Sequence, residues 1–238
     1  MDCPHCGTEL KPELTHCAGC DWKVRLSQIL VQPTGTESFP YPLPASDIYY
    51  LFADEFLEPA LSISPVDHPE QVISGRAPVQ KKPLAIGLCR VAFIWLAVSE
   101  HVELELLRSK ALNFARSQLV MAKPLGVYQA PIGSLESRVL DSLYDRRQGL
   151  SVEETLVKLI GFWYHGDSYE WALQLVRQHL LASPCASDGR SIDGPQLEKL
   201  RPQVEYVKNL LNNFAFANPS LVAALWDSIQ RGLDGKKG

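Results

Sequence analysis

The amino-acid sequence predicts a mainly α-helical fold with a small β component, preceded by a short cysteine-rich module. Three observations predict it: paired cysteines near the start of the chain, alternating apolar and charged residues over 102–106, and apolar residues at helical spacing through most of 134–232. The 238 residues suffice for one large domain with an appended module. The content of 46% apolar and 21% charged residues is ordinary for a globular protein and argues against wholesale disorder.

The N-terminal module carries a complete ligand set for a tetrahedral metal ion. Two residues separate Cys3 from Cys6, and the same spacing separates Cys17 from Cys20. Each pair forms a knuckle that turns both sulfurs towards one ion. Four thiolates leave no open position for water or substrate, so we expect one structural Zn²⁺. His5 and His16 are alternative ligands, and iron is the alternative metal.

The same stretch resembles the short zinc-ribbon family found at the termini of bacterial and archaeal proteins. The resemblance rests on Cys3-Pro4-His5-Cys6-Gly7-Thr8-Glu9-Leu10 and on Cys17-Ala18-Gly19-Cys20. It departs from the family at Asp21, where a second glycine is usual. The resemblance covers residues 1–25 and implies a structural or docking module without a reaction.

Prolines and changes in composition divide the rest of the chain into four segments. Prolines at 33, 40, 42 and 44 predict an extended linker over 27–46. Residues 47–82 are expected to hold a helix, capped by Ser46 or Asp47, and an irregular acidic segment. The main domain is predicted over 83–232, with a frayed tail over 233–238.

The main domain is predicted to open with an apolar helix over 84–99, with Pro83 in its first turn. Strict alternation then predicts a half-buried strand over 102–106. A turn at 108–110 would lead into a second strand through Leu112 and Phe114 to Met121, for which helix is the alternative. A helix followed by such a hairpin fits a winged-helix-like unit.

Further helices are predicted from their start and stop signals. The first runs from Ser134 to Gly149, and the second begins at a Ser151/Glu154 capping box. The third runs from Asp167 or Ser168 to Pro184. One long helix then passes through Leu197 and Phe214, and the last runs from Asn218-Pro219 to Gly232.

The charge is uneven along the chain, although the net charge is only -4. Residues 27–75 carry seven acidic and no basic side chains, whereas residues 76–147 carry eleven basic and six acidic ones. This pattern indicates either an ordinary solvated surface or a basic face that is shielded by the acidic segment or docks a partner. The most apolar stretch, 84–98, contains Arg90 and is shorter than the roughly 20 residues of a spanning helix. Without a secretory signal pattern, a cytoplasmic protein is expected.

The sequence contains none of the common nucleotide-loop, zinc-protease or serine-hydrolase motifs. No catalytic or cofactor-binding residue is therefore assigned. A nucleophilic Cys185 paired with His165 or His179 is the alternative, and Cys89 is expected in the core. His101 is expected at a helix C-terminus, and Glu103 and Glu105 on a solvated strand face. Core packing is favoured over ligand stacking for a set of aromatic and neighbouring residues: Phe162, Trp163, Tyr164, His165, Tyr169 and Trp171.

These features favour a non-enzymatic adaptor or regulatory subunit that binds a protein partner through its zinc module and helical body. The first alternative is a DNA-binding regulator that uses the basic 76–147 region. It rests on Arg76, Lys81, Lys82, Arg90, Arg108, Lys110, Arg116 and Lys123.

A second alternative is a peripheral adaptor that binds anionic lipid. The order of predicted elements and the run Phe93-Ile94-Trp95-Leu96-Ala97 resemble the Golgi phosphoprotein family of phosphoinositide-binding adaptors. No binding residues carry over from that resemblance. The remaining alternative is an enzyme whose active site has no recognisable sequence motif.

Overall fold

The computed structural model describes residues 43–58, 78–108, 118–125, 130–144, 146, 148–161, 166–183 and 194–235. The four cysteines predicted to bind metal, most of the predicted linker and the end of the predicted tail lie outside the described residues. Within these residues the fold is mainly helical with a small antiparallel sheet, as predicted. Its elements are α1 (Ala45–Leu51), α2 (Lys81–Val98), β1 (Val102–Arg108), β2 (Gln118–Pro124), α3 (Leu135–Tyr144), β3 (Leu150–Ser151), α4 (Val152–Ile160), α5 (Ser168–Ala182), α6 (Gly194–Lys199), α7 (Arg201–Ala217) and α8 (Pro219–Asp234).

The predicted apolar helix is α2, and it forms the centre of the fold. Helices α1, α3, α5, α7 and α8 all pack against it. A helix that is apolar on nearly every side has to be covered in this way. Cys89 lies fully buried within α2, which confirms the core assignment. Burial raises the pKa of its thiol to about 12, so Cys89 is not a reactive thiolate at neutral pH. No helix in the described part of the chain has both the length and the apolar character needed to cross a bilayer.

Helix α1 and α2 approach closely where Tyr49 lies against Gly87. The Tyr49 ring is fully buried and stacks on Phe56 at a centroid distance of 4.6 Å. A Cβ atom added to Gly87 would lie 2.4 Å from the Tyr49 hydroxyl oxygen and 2.6 Å from Cε1 of the ring. Only glycine leaves room for this aromatic side chain.

We expect Gly87→Ala to lower the free energy of unfolding by up to about 2 kcal/mol. Overpacking costs roughly 1–3 kcal/mol, and the better helix propensity of alanine offsets about 1 kcal/mol of it. Urea unfolding of the variant measures the loss. The double variant Gly87→Ala, Tyr49→Leu should show strong non-additivity, because the leucine removes the ring that clashes. Additive losses would contradict the contact.

The small sheet confirms the predicted strand and hairpin order. Strand β1 pairs antiparallel with β2, with Val102 opposite Pro124 and Arg108 opposite Gln118. Strand β3 pairs with β2 at Met121 and Ala122. Leu112 and Phe114, proposed for the second strand, lie outside the described residues. Whether the helix and hairpin form a winged-helix unit stays a prediction.

Three helix starts follow their sequence signals. The Ser151 hydroxyl accepts the N–H of Glu154 at 3.1 Å, and the Glu154 carboxylate accepts the N–H of Ser151 at 3.0 Å, which completes the predicted capping box. Asp167, rather than Ser168, caps α5 by accepting the N–H of Tyr169 at 3.0 Å. Ser134 accepts the N–H of Ser137 at 3.1 Å. Each signal acts within one helical turn, which is why the local sequence suffices.

One predicted helix is divided in two, and one predicted helix start lacks its side-chain cap. The long helix through Leu197 and Phe214 is broken at Leu200 into α6 and α7, because Pro202 lacks the N–H that a continuous helix requires. The predicted start of the last helix is confirmed, since Asn218 is the N-cap residue of α8 and Pro219 its first residue, but the Asn218 side chain makes no capping hydrogen bond. Its amide instead donates to the Phe214 carbonyl at 3.2 Å, at the end of α7.

Two glycines also have roles different from those predicted. Gly232 does not end α8, which continues to Asp234. It lets α8 approach α4, since an added Cβ would lie 3.0 Å from Cβ of Leu156. Helix α3 ends at Tyr144, before Gly149. Gly149 adopts a positive φ of 78° in the connection to β3.

Candidate functional site

Four polar side chains meet in the interior where α1 packs against the bundle. Helix α1 supplies Ser46 and Asp47, α3 supplies Glu136, and α5 supplies His179. Asp47 and Glu136 are both fully buried. Charged groups are rarely buried in this way unless they have partners, so the cluster is the most unusual polar feature of the described core.

Ser46 and Asp47 are not helix caps, contrary to prediction. Pro44 occupies the N-cap of α1, and both side chains point into the core. Asp47 Oδ2 lies 2.6 Å from His179 Nδ1. Ser46 donates its N–H to Glu136 Oε1 at 2.9 Å and its hydroxyl to Oε2 at 2.8 Å. These long-range bonds replace the predicted local ones and join α1 to α3 and α5.

Burial dominates the electrostatics of the cluster. It raises the pKa of Asp47, while the hydrogen bond from His179 acts in the opposite direction. Burial, together with the charge of Asp47, raises the pKa of Glu136 to about 7. The hydrogen bond to Asp47 raises the pKa of His179. The cluster therefore retains protons to a higher pH than the same side chains in water.

The His179 ring lies between this cluster and an open cleft of about 670 Å³. Its side chain is 12% exposed, whereas that of Asp47 is completely buried. Because Nδ1 faces Asp47, Nε2 is the ring nitrogen left for the cleft. The cleft is formed by α3, α4, α5 and the turn before α3. Its lining comprises Ile132, Gly133, Arg138, Asp141, Ser142, Lys158, Leu159, Trp171, Gln174, Leu175, Gln178, His179 and Ala182.

The cleft contains two cationic side chains that lack a carboxylate partner among the described residues: Arg138 and Lys158. Lys158 donates to the carbonyl of Ser142 at 2.7 Å. Several other described cations form ion pairs, including Lys81 and Arg177 with Glu170, and Lys208 with Glu55. The cleft thus presents positive charge with which no carboxylate in the described part of the chain forms an ion pair.

The basic residues proposed for DNA binding have different surroundings. Lys81 pairs with Glu170 at 2.6 Å, Lys82 pairs with Asp234 at 3.6 Å, and Lys123 pairs with Glu105. Arg90 lies over the Trp226 ring at 5.3 Å. The side chains of Arg76, Arg108, Lys110 and Arg116 are outside the described part. The described members of the set therefore have intramolecular partners.

The remaining residues named in the sequence predictions lie in the core, in the cleft, after α2 and on β1. Tyr169 is buried and donates its hydroxyl to Asp234 at 2.6 Å, in agreement with core packing, whereas Trp171 is half-buried and lines the cleft. His101 follows α2, and its ring is tilted against Trp95 at 5.8 Å. Glu103 and Glu105 are half-buried on β1, and Glu105 pairs with Lys123 across the sheet.

Two predicted groups fall on undescribed residues: Phe162 to His165 of the aromatic set, and Cys185 with its alternative partner His165. Within the described ranges, no group of three or more His, Cys, Asp or Glu residues could hold a metal ion.

Comparison with family models, curated proteins and solved structures finds no match to this chain. The resemblances to zinc ribbons and Golgi phosphoproteins stay predictions. Sequence reasoning missed the buried cluster, although one signal was present. Asp47 is followed by Ile48-Tyr49-Tyr50-Leu51-Phe52, which leaves α1 no polar face on which to expose a carboxylate.

Proposed function

We propose that this protein is a non-enzymatic adaptor or regulatory subunit. Its body would bind an acidic segment of a partner protein in the cleft formed by α3, α4 and α5, and its N-terminal zinc module would provide a second contact. The observation that carries the proposal is the pair of cleft cations, Arg138 and Lys158, without carboxylate partners in the described part of the chain.

The chemistry of the cleft supports a mixed polar and apolar partner. Trp171 and Leu175 offer apolar surface, and Ile132 at the rim is 94% exposed. Aromatic anchors supply much of the affinity of protein interfaces, while complementary charge supplies orientation and specificity. An acidic segment with an adjoining apolar residue matches both components.

The alternatives have weaker support. The described basic residues on which the DNA-binding hypothesis rests already have partners within the chain. They contact Glu170, Asp234, Glu105 and the Trp226 ring. The lipid-binding hypothesis has no described surface that favours it over the cleft. Neither alternative explains why Arg138 and Lys158 share a cleft with Trp171.

Charge reversal in the cleft tests the proposal. We expect Arg138→Glu, Lys158→Glu to weaken capture of at least one partner about tenfold, equivalent to about 1.4 kcal/mol. Quantitative mass spectrometry after affinity capture from native lysate measures the loss. Cross-linking should place an Asp- or Glu-rich segment of that partner beside Trp171. Cys17→Ser, Cys20→Ser tests the zinc module in the same way.

A matched control is Arg146→Glu, Lys199→Glu, which changes the same net charge at exposed positions outside the cleft. This control should retain the partner, and all variants should keep the wild-type unfolding midpoint. A set of captured proteins that is insensitive to both the cleft and the cysteine variants would overturn the adaptor proposal.

A further inference from the structure

We propose that the part of the cleft beside His179 binds an oxyanion, a carboxylate or phosphate group, through Nε2 of His179 together with Arg138 and Lys158. This inference rests on the proposed function, because it names the chemical group by which the cleft recognises its partner. The three side chains come from α5, α3 and α4 and line the same cleft.

The Asp47–His179 pair prepares the histidine for this role. Asp47 is fully buried and lies 2.6 Å from Nδ1, so it orients the ring and favours its protonated form. In the imidazolium form both ring nitrogens are donors, and Nε2 is the donor not used by Asp47. A hydrogen bond from a cationic donor to an anionic acceptor is stronger than a neutral one.

Binding explains the arrangement better than catalysis does. A buried aspartate beside a histidine also occurs in hydrolases, where the histidine activates a serine hydroxyl. Ser142 is the hydroxyl side chain in the described lining of this cleft. Its hydroxyl donates to the carbonyl of Val139 at 2.7 Å instead of contacting His179. The described cleft thus supplies cationic donors without a hydroxyl nucleophile linked to the histidine.

The charges around His179 make the binding dependent on protonation. Asp47 from α1 and Glu136 from α3 favour the imidazolium, and the cleft also contains Asp141 from α3. Arg138 and Lys158 act against a third positive charge in the empty cleft. An oxyanion offsets that repulsion, so its binding should raise the pH at which His179 loses its proton. By linkage, binding should weaken as the pH rises through that point.

NMR titration of the full-length protein with histidine-labelled rings tests the inference. The His179 resonance is assigned from its absence in His179→Gln. We expect acetate, inorganic phosphate or both to raise the His179 titration midpoint by at least about 0.5 pH unit, in a saturable manner. Chloride at matched ionic strength should not do so. The acetate and phosphate arms show which oxyanion the site prefers.

Variants that leave the Asp47–His179 pair intact guard against misfolding as the explanation. Arg138→Gln, Lys158→Gln should weaken the acetate or phosphate response at least fivefold, whereas Arg146→Gln, Lys199→Gln should not change it. An equal response to chloride, no saturable response, or one unchanged by the cleft variant would each overturn the oxyanion site. Loss of a partner on cleft charge reversal without any oxyanion response would leave the adaptor proposal standing alone. An oxyanion response without any loss of a partner on cleft charge reversal would support the site and reject the cleft as the surface that contacts the adaptor's partner.

Discussion

Raising the pH from 5 to 8 should lower the free energy of unfolding by about 3 kcal/mol, mainly through Glu136. The carboxyl group is fully buried, and its pKa rises from an ordinary 4.5 to about 7. Between these values the folded chain holds a proton that the unfolded chain has released. Each pH unit in that interval is worth about 1.4 kcal/mol, so the stability present at low pH is lost as the pH approaches and passes 7.

Asp47 and His179, the other titratable groups of the cluster, change the stability with pH in the same direction as Glu136. The pKa values of Asp47 and His179 are also raised in the folded protein, so their contributions are likewise lost with increasing pH. The pKa values of Glu55 and Glu170 are lowered by their cationic neighbours in spite of partial desolvation. Their contributions are lost only as the pH falls below the ordinary glutamate range. They therefore do not oppose the trend between pH 5 and 8.

Glu136→Gln should flatten this pH dependence and make the protein about 3 kcal/mol more stable than the wild type at pH 8. The glutamine carbonyl keeps an acceptor for the N–H of Ser46, and its amide can donate to the Ser46 hydroxyl. Urea unfolding at pH 5, 6, 7 and 8 measures the difference. Glu198→Gln, at a side chain that is 74% exposed, is the matched control and should leave the pH dependence unchanged. Parallel pH profiles for wild type and Glu136→Gln would contradict the assignment.

The parts of the fold that could be predicted depend on short-range chemistry. The Ser151/Glu154 capping box and the alternation in β1 each involve residues a few positions apart. The apolar run of α2 is equally visible, because a helix without a polar face has to form the core. Such features can be recognised without knowing which elements meet.

The buried cluster could not be predicted by the same reasoning. Asp47 and His179 are 132 positions apart, and Ser46 and Glu136 are 90 apart. Local rules favour Ser46 and Asp47 as helix caps, since both residue types cap helices well in isolation. Tertiary packing overrides that preference by placing α1 inside the bundle, where the same oxygens bind His179 and Glu136. The cleft is equally non-local, because its lining comes from three helices and a turn.

The predicted metal ligands Cys3, Cys6, Cys17 and Cys20 lead to the largest expected effect. The purified full-length chain should contain one Zn²⁺ per molecule by elemental analysis, and iron would appear in its place if the alternative metal is bound. Zinc binding contributes about 10 kcal/mol or more to the folding of comparable modules. Chelation should therefore unfold residues 1–26.

Thiol alkylation followed by mass spectrometry distinguishes this unfolding from general loss of structure. Chelation should expose the four thiols of the predicted module, while Cys89, which is fully buried in α2, stays protected. The proline-rich linker predicted over 27–46 separates the module from the body, so we expect the unfolding midpoint of the body to stay unchanged. Cys185→Ser should retain the metal, whereas Cys17→Ser, Cys20→Ser should lose it. A wild-type chain without stoichiometric metal, or one whose thiols react equally with and without chelator, would remove the zinc module and with it the second contact of the proposed adaptor.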